Sequence, residues 1–267
     1  SLKAAMEERR RNNYVPQVQT MDYTPITFTK EMKKNHTILS PQLSPIHLQF
    51  VEAALRNSGF NVVVLPEVDK GATEAGLKYV NNDACYPSIL VTGQLIHALQ
   101  SGKYDLDNTT CLITQTGGGC RATNYVGFIR KALREAGFEK VPCVPLSVQG
   151  FEHHPGMEFD LPTISRAAQG IIYGDLLMRV LYKVRPYEKI PGSANALYDQ
   201  WVIRCIKSLE NGKFLEYEKN CKDIVKAFDA FPIQEDLVKP KIGLVGEILV
   251  KFHPTANNSV VEVIEAE

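Results

Sequence analysis

The run from Thr114 to Phe138, TQTGGGCRATNYVGFIRKALREAGF, constrains this chain most, because it sets a glycine triplet and a cysteine where a strand becomes a helix. Before it, Cys111-Leu112-Ile113 reads as the end of a buried strand. After it, Tyr125, Phe128, Ile129, Ala132, Leu133 and Ala136 recur at helical spacing. Gly117, Gly118 and Gly119 permit positive φ and close approach of the backbone to another group. Cys120 then falls at the first turn of the helix, where the helix dipole and unpaired amides favour the thiolate, the form that binds metals or attacks electrophiles. The same spacing also suits a tight turn around a packed thiol, since free cysteine behaves as a small hydrophobe. Arg121 beside it can neutralise a bound anion or cluster, or simply cap a surface.

From about His36 onward, short apolar or β-branched runs alternate with helical periods, the pattern of parallel strands joined by crossover helices. Strands are expected at Thr37 to Leu39, Asn61 to Leu65, Cys111 to Thr114 and Val141 to Val148. Helices are expected at Pro45 to Ser58, Gly71 to Val80, Pro87 to Ser101 and from the glycine loop to Ala136, with Gly137 as the cap. This is an α/β fold, a doubly wound parallel-sheet, Rossmann-like unit over residues 35–150. Residues 151–239 carry helical patterns at Leu161 to Val184, Ala194 to Glu210 and Phe214 to Phe231, so a helical subdomain follows. At Lys241 to Val250 a β pattern returns, and residues 240–267 read as the truncated start of a second α/β unit. Residues 1–34 lack periodicity and read as a linker from an upstream module. Both ends thus resemble cuts in a longer polypeptide.

Thirty basic and thirty acidic side chains cancel, which gives no reason to expect nucleic acid or an anionic membrane surface as partner. The start, with Glu7-Glu8-Arg9-Arg10-Arg11, is charged where a secretory signal would be apolar, and no run of apolar residues is long enough to span a membrane. A cytoplasmic location is expected. Six cysteines in 267 residues are too sparse for a secreted disulfide scaffold, so reduced thiols or metal ligands are the better reading.

Cys85, in NNDACYPSILVTGQ, precedes Pro87 and the helix it opens. Turns of this kind gather at the carboxyl edge of a parallel sheet, where ligands bind, so Cys85 and Cys120 are expected to converge on one cleft. Cys111 and Cys143 fall in apolar strands and read as core, while Cys205 and Cys221 lie on amphipathic helices as buried or half-buried thiols. No CxxC spacing occurs, against a zinc ribbon, a ferredoxin-type run or a thioredoxin dithiol. His153-His154 reads as a solvated loop rather than a metal pair, and Trp201 as core of its helix. The glycine loop can cradle a phosphate on the following helix, yet it lacks the Lys-Ser/Thr ending of a P-loop and the dinucleotide spacing.

Four stretches, NNDACYPSILVTGQ, TQTGGGCRATNYVGFIRKAL, GDLLMRVLYKVRPYE and GEILVKFHPTANN, closely resemble the large activase-related proteins of the 2-hydroxyacyl-CoA dehydratase superfamily. In that family, ATPase modules are joined to a dehydratase-like portion, and this chain is similar to that portion over about residues 25–267. The resemblance implies an iron-sulfur protein of anaerobic electron transfer, in which cysteines at strand ends hold a cubane-type 4Fe-4S cluster and an ATP-hydrolysing activase delivers a low-potential electron. Carried over by motif, the metal ligands are Cys85 and Cys120, with Gly117, Gly118, Gly119 and Arg121 around the cofactor. The third cysteine is expected in a later α/β unit, so the cluster site is incomplete here.

No ATPase signature is present, and the implied partner is therefore an activase ATPase module, in the same polypeptide or a separate subunit. Three functions follow as expectations: an iron-sulfur-linked redox module of an ATP-driven acyl-CoA dehydratase activator or low-potential reductase, a cluster-free scaffold that positions the activase, and an acyl-CoA-binding domain whose glycine loop holds phosphate.

Overall fold

Alternation of side chains along four short strands builds the centre of the molecule. The structure, a computed structural model, describes residues 2–12, 24–115, 117, 118, 120–147, 152–212 and 214–267. Its elements in order are α1 (Leu2–Arg11), α2 (Lys30–Asn35), β1 (Thr37–Ser40), α3 (Pro45–Asn57), β2 (Val62–Val64), α4 (Lys70–Tyr79), α5 (Tyr86–Gln100), β3 (Thr109–Thr114), α6 (Tyr125–Glu135) and β4 (Cys143–Leu146). They continue with α7 (Leu161–Val184), α8 (Ser193–Asn211), α9 (Phe214–Asp229), α10 (Ile248–Phe252), α11 (Pro254–Asn257) and α12 (Val260–Ala266). The strands form one all-parallel sheet in the order β2-β1-β3-β4, as the α/β pattern leads one to expect.

Successive residues of a strand point to opposite faces, and the two cores divide accordingly. Leu39, Cys111, Ile113 and Cys143 enter the core shared with α4, α5 and α6, whereas Ile38, Leu112 and Val144 enter the core with Phe28, Leu55 and Phe60. Helix α3 covers that second face and also presents Phe50 to a third core, built with Tyr173, Leu177, Trp201, Cys205 and Ile224 of α7, α8 and α9. The helical subdomain is thus an outer layer packed on α3. Cys205 is buried, Cys221 half-buried and Trp201 part of the core.

Three local expectations are corrected. Residues 1–34 are not wholly linker: α1 and α2 form, the first with Arg9, Arg10 and Arg11 in its last turn, where they meet the negative end of the helix dipole. In α2, Thr29 caps the start by accepting from the Met32 amide at 3.2 Å. Residues 13–23 lie outside the described residues.

The β pattern at Lys241 to Val250 does not form a strand. Residues 241–246 carry no ladder, and the apolar residues that follow enter α10, whose N-cap Glu247 accepts from the Val250 amide at 3.0 Å. A strand needs a neighbour to satisfy its amides, and among the described residues none lies beside this stretch, whereas one turn of helix satisfies them locally. Residues 247–266 run as a helical strap instead: Leu249 enters the core of α4, α5 and α6, and Thr255 donates to Glu67 at 2.8 Å in the loop after β2.

The third correction is His154. It is buried rather than solvated, with Nδ1 accepting from the Phe28 amide at 3.1 Å and Nε2 facing Glu152 at 3.1 Å, while its neighbour His153 is exposed. Adjacent loop side chains diverge, and the one that turns inward finds a backbone donor left by an extended segment.

Candidate functional site

In a parallel sheet every strand delivers its following loop to the same edge, and the crevice there is the usual ligand site. After β3, Gln115 extends the ladder by donating its amide to Leu146 at 2.8 Å, then the chain leaves the sheet. Gly117 takes φ +70°, which favours glycine, and reverses the backbone. Among the described residues, Gly118 has no atom within 4 Å of where a Cβ would stand. Its carbonyl accepts from Thr123 Oγ1 at 2.8 Å, and Gln115 Nε2 donates to the Thr123 carbonyl at 2.9 Å, so the loop is tied to the turn that follows it.

Cys120 is the N-cap of a 3-10 turn over Arg121–Asn124, and its sulfur accepts from the Ala122 amide at 3.5 Å. It is exposed, one 3-10 turn before the helix α6 that the spacing leads one to expect. Gly119 and the side chain of Arg121 lie outside what is described, so the positions assigned to them from the motif rest on sequence alone.

Cys85 occupies the equivalent place on α5. It is the N-cap, with Tyr86 and Pro87 opening the helix, and Ser88 donates both its amide and its hydroxyl to the Cys85 carbonyl at 2.9 and 2.6 Å. The Cys85 sulfur makes no capping bond and meets the Tyr125 hydroxyl at 3.4 Å. Tyr125, the first residue of α6, is buried at 8 % exposure. Burial first, then the hydrogen bond and charge of Cys85 and the charges of Glu247 and Cys120, hold its phenol protonated well above the usual tyrosine range. The Cys85 turn thus meets the start of α6 at this phenol.

Cys111 and Cys143 behave differently. They are register partners in neighbouring strands, fully buried on the same face. Desolvation pushes both thiols up, Cys143 to about 12 despite the opposing pull of Arg130. Neither is poised to ligate or react, because both need the thiolate.

No family model, curated protein or solved structure matches the chain. The likeness to the activase-related proteins therefore bears only on the proposed function below.

A four-iron cubane takes four thiolates, and this edge brings two. Among the described residues no group of three or more His, Cys, Asp or Glu side chains is arranged to hold a metal ion. The donor chemistry fits a cluster and the donor number does not, so these residues alone do not complete such a site. Tyr125 and Glu247 were not legible as site residues: Tyr125 reads as one apolar position of a helical stripe, and Glu247 sits in a stretch whose pattern reads as strand. Only the Asn-Tyr step after a cysteine turn marks a polar tip at that helix start.

Proposed function

We propose that the edge carrying Cys85 and Cys120 supplies two thiolate ligands to an iron-sulfur cluster completed by donors outside the described residues, within a redox module of an ATP-driven acyl-CoA dehydratase activator or low-potential reductase system. The single observation that supports it is that the Cys85 sulfur, at the start of α5, meets the buried phenol of Tyr125, the first residue of α6, whose preceding 3-10 turn is capped by Cys120. Thiols at helix N-termini are favoured sites for thiolate and metal. The phenol of Tyr125 can donate to a thiolate on Cys85, and the amides of the glycine loop can donate to sulfur, both of which tune a bound cluster's potential. A cluster would supply one-electron chemistry; the protein's part is to hold and hydrogen-bond it.

The test is anaerobic reconstitution with iron and sulfide, followed by metal analysis of the wild type and the variants Cys85→Ala, Cys120→Ala and Cys111→Ala. Iron and sulfide bind the wild type and Cys111→Ala, and fall at least several-fold in the other two. Equal iron in all four proteins, or none in any, removes the cluster reading and leaves the scaffold or acyl-CoA-binding reading; a coenzyme A ester titration separates those.

A further inference from the structure

A second constellation lies away from the cysteines, where α3 meets α7 and the strap. Ser44 is the N-cap of α3. A serine in that position ordinarily turns its hydroxyl onto the amides of the first turn. Here it makes no such bond, and its Oγ lies 2.7 Å from His47 Nδ1. The other ring nitrogen, Nε2, lies 3.1 Å from Asp175 Oδ1 on α7. An ionised carboxylate only accepts, so Nε2 carries the hydrogen that Asp175 receives, and Nδ1 of the neutral ring is left to accept from the Ser44 hydroxyl.

The imidazole is held on its other sides too. A Cβ at Gly174 would come within 2.5 Å of His47 Cδ2, so glycine there lets the ring lie against the α7 backbone. The Phe252 ring packs edge-on at 5.6 Å. A nucleophile, a base and an orienting carboxylate in hydrogen-bond sequence are the parts that acyl transfer needs.

A cavity of about 350 Å³ begins at the next two residues, Pro45 and Ile46, and passes Phe252, Lys251 and Arg185, with Asp199 and Glu262 also in its wall. Arg185 gives Nε to Glu265 at 2.6 Å and Nη1 to Asn195 at 3.2 Å, and its Nη2 is buried without a hydrogen bond among the described residues. A buried guanidinium nitrogen without an acceptor costs stability unless something supplies one.

We propose that Ser44, His47 and Asp175 form an acyl-transfer centre for carboxylic esters whose acyl part carries an anionic group, received in the adjoining cavity by Arg185 and Lys251. Ser44 Oγ attacks the ester carbonyl carbon as its proton passes to His47 Nδ1. The amide of Ile46, which has no partner within its helix, is available to the oxyanion. The carbon-oxygen bond to the leaving alcohol breaks, and that alcohol takes the proton from Nδ1. Water then attacks the acyl-serine by the same relay, releasing the acid and restoring Ser44. Asp175 is a positioning residue, which fixes the tautomer.

The whole chain, free of iron, is treated with an alkyl fluorophosphonate and the adduct is located by peptide mass. Hydrolysis of mono-p-nitrophenyl glutarate is compared with that of p-nitrophenyl butyrate. A Ser44 adduct forms, and the anionic ester turns over about tenfold faster. Ser44→Ala and His47→Gln lose at least tenfold in ester turnover, and Asp175→Asn alters the pH profile.

No adduct on wild-type Ser44, or labelling at an equal rate in His47→Gln, would overturn the centre and leave Ser44 and His47 as a helix cap. Equal rates for the two esters would overturn the anionic assignment. Should His47→Gln not fold, the presence or absence of the wild-type Ser44 adduct decides the matter.

Discussion

At the scale of single residues, Arg130 joins more of the structure than its place in a helical stripe suggests. Its guanidinium donates to both oxygens of Glu152 at 2.6 Å each and to the Cys143 carbonyl at 2.8 Å. Glu152 accepts in turn from His154, whose Nδ1 holds the Phe28 amide. A charged side chain 9 % exposed is tolerable only when paired this fully. The hydrogen bond from Arg130 is the largest of the effects that hold the Glu152 carboxyl below its usual range.

A carboxylate with a depressed folded pKa adds stability that is complete above its unfolded value, about 4.3, and that is lost as pH falls through the folded value. Glu152→Gln is therefore expected to cost about 3 kcal/mol at pH 7, the order found when one partner of a buried pair is removed. The gap from the wild type should narrow as urea unfolding is repeated below about pH 4. A gap unchanged with pH would assign the loss to packing and not to charge.

At the scale of elements, glycines set how closely helices approach. On α5 a Cβ at Gly93 would fall 1.9 Å from the Ala72 carbonyl oxygen, and on α4 one at Gly76 would fall 2.1 Å from the Ile89 carbonyl oxygen. The two helices therefore pack backbone to backbone, and α5 is buried nearly all round, including Ser88, Thr92 and Gln94. On α7, Gly170 and Gly174 play the same part toward Phe50 and His47 of α3.

Gly93→Ala should cost about 3 kcal/mol, because rigid carbonyl atoms cannot yield as a flexible side chain would. Gly118→Ala, in open space, should stay within about 0.5 kcal/mol. Thermal unfolding of the pair checks this: similar losses would mean that the α4-α5 contact is looser than described.

At the scale of the whole molecule, the strap of α10, α11 and α12 joins the sheet edge to the helical layer. Glu265 receives Arg185 at 2.6 Å, and its carbonyl accepts from Lys239 at 3.0 Å. His253, fully buried between α10 and α11, has neither ring nitrogen hydrogen-bonded among the described residues. Desolvation lowers its pKa, against the pull of the Glu67 carboxylate.

A histidine buried neutral contributes stability that is full above its unfolded value, about 6.5, and that declines as pH falls below it, because the unfolded state then binds the proton more readily. Hydrogen-exchange protection of residues 248–257 should therefore drop between pH 7.5 and 5.5, an interval of about one unit on either side of that value. His253→Leu should keep its protection across the interval. An equal drop in both proteins would place the sensitive group elsewhere.

The strands, the crossover helices and the core cysteines were legible because they depend on local periodicity: Cys111 and Cys143 sit inside apolar runs, and Leu161–Val184 forms with the boundaries its pattern marks. What sequence could not supply was anything requiring a partner distant along the chain. The stretch from Lys241 to Val250 has the composition of a strand, and only the absence of a neighbouring strand turns it into a loop and a helical strap. His154 reads as loop until Phe28 and Glu152 are set against it, and Ser44, His47 and Asp175 come together only when α7 packs on α3 through Gly174. Periodicity decides which face of an element is apolar; packing decides which polar groups are left facing one another.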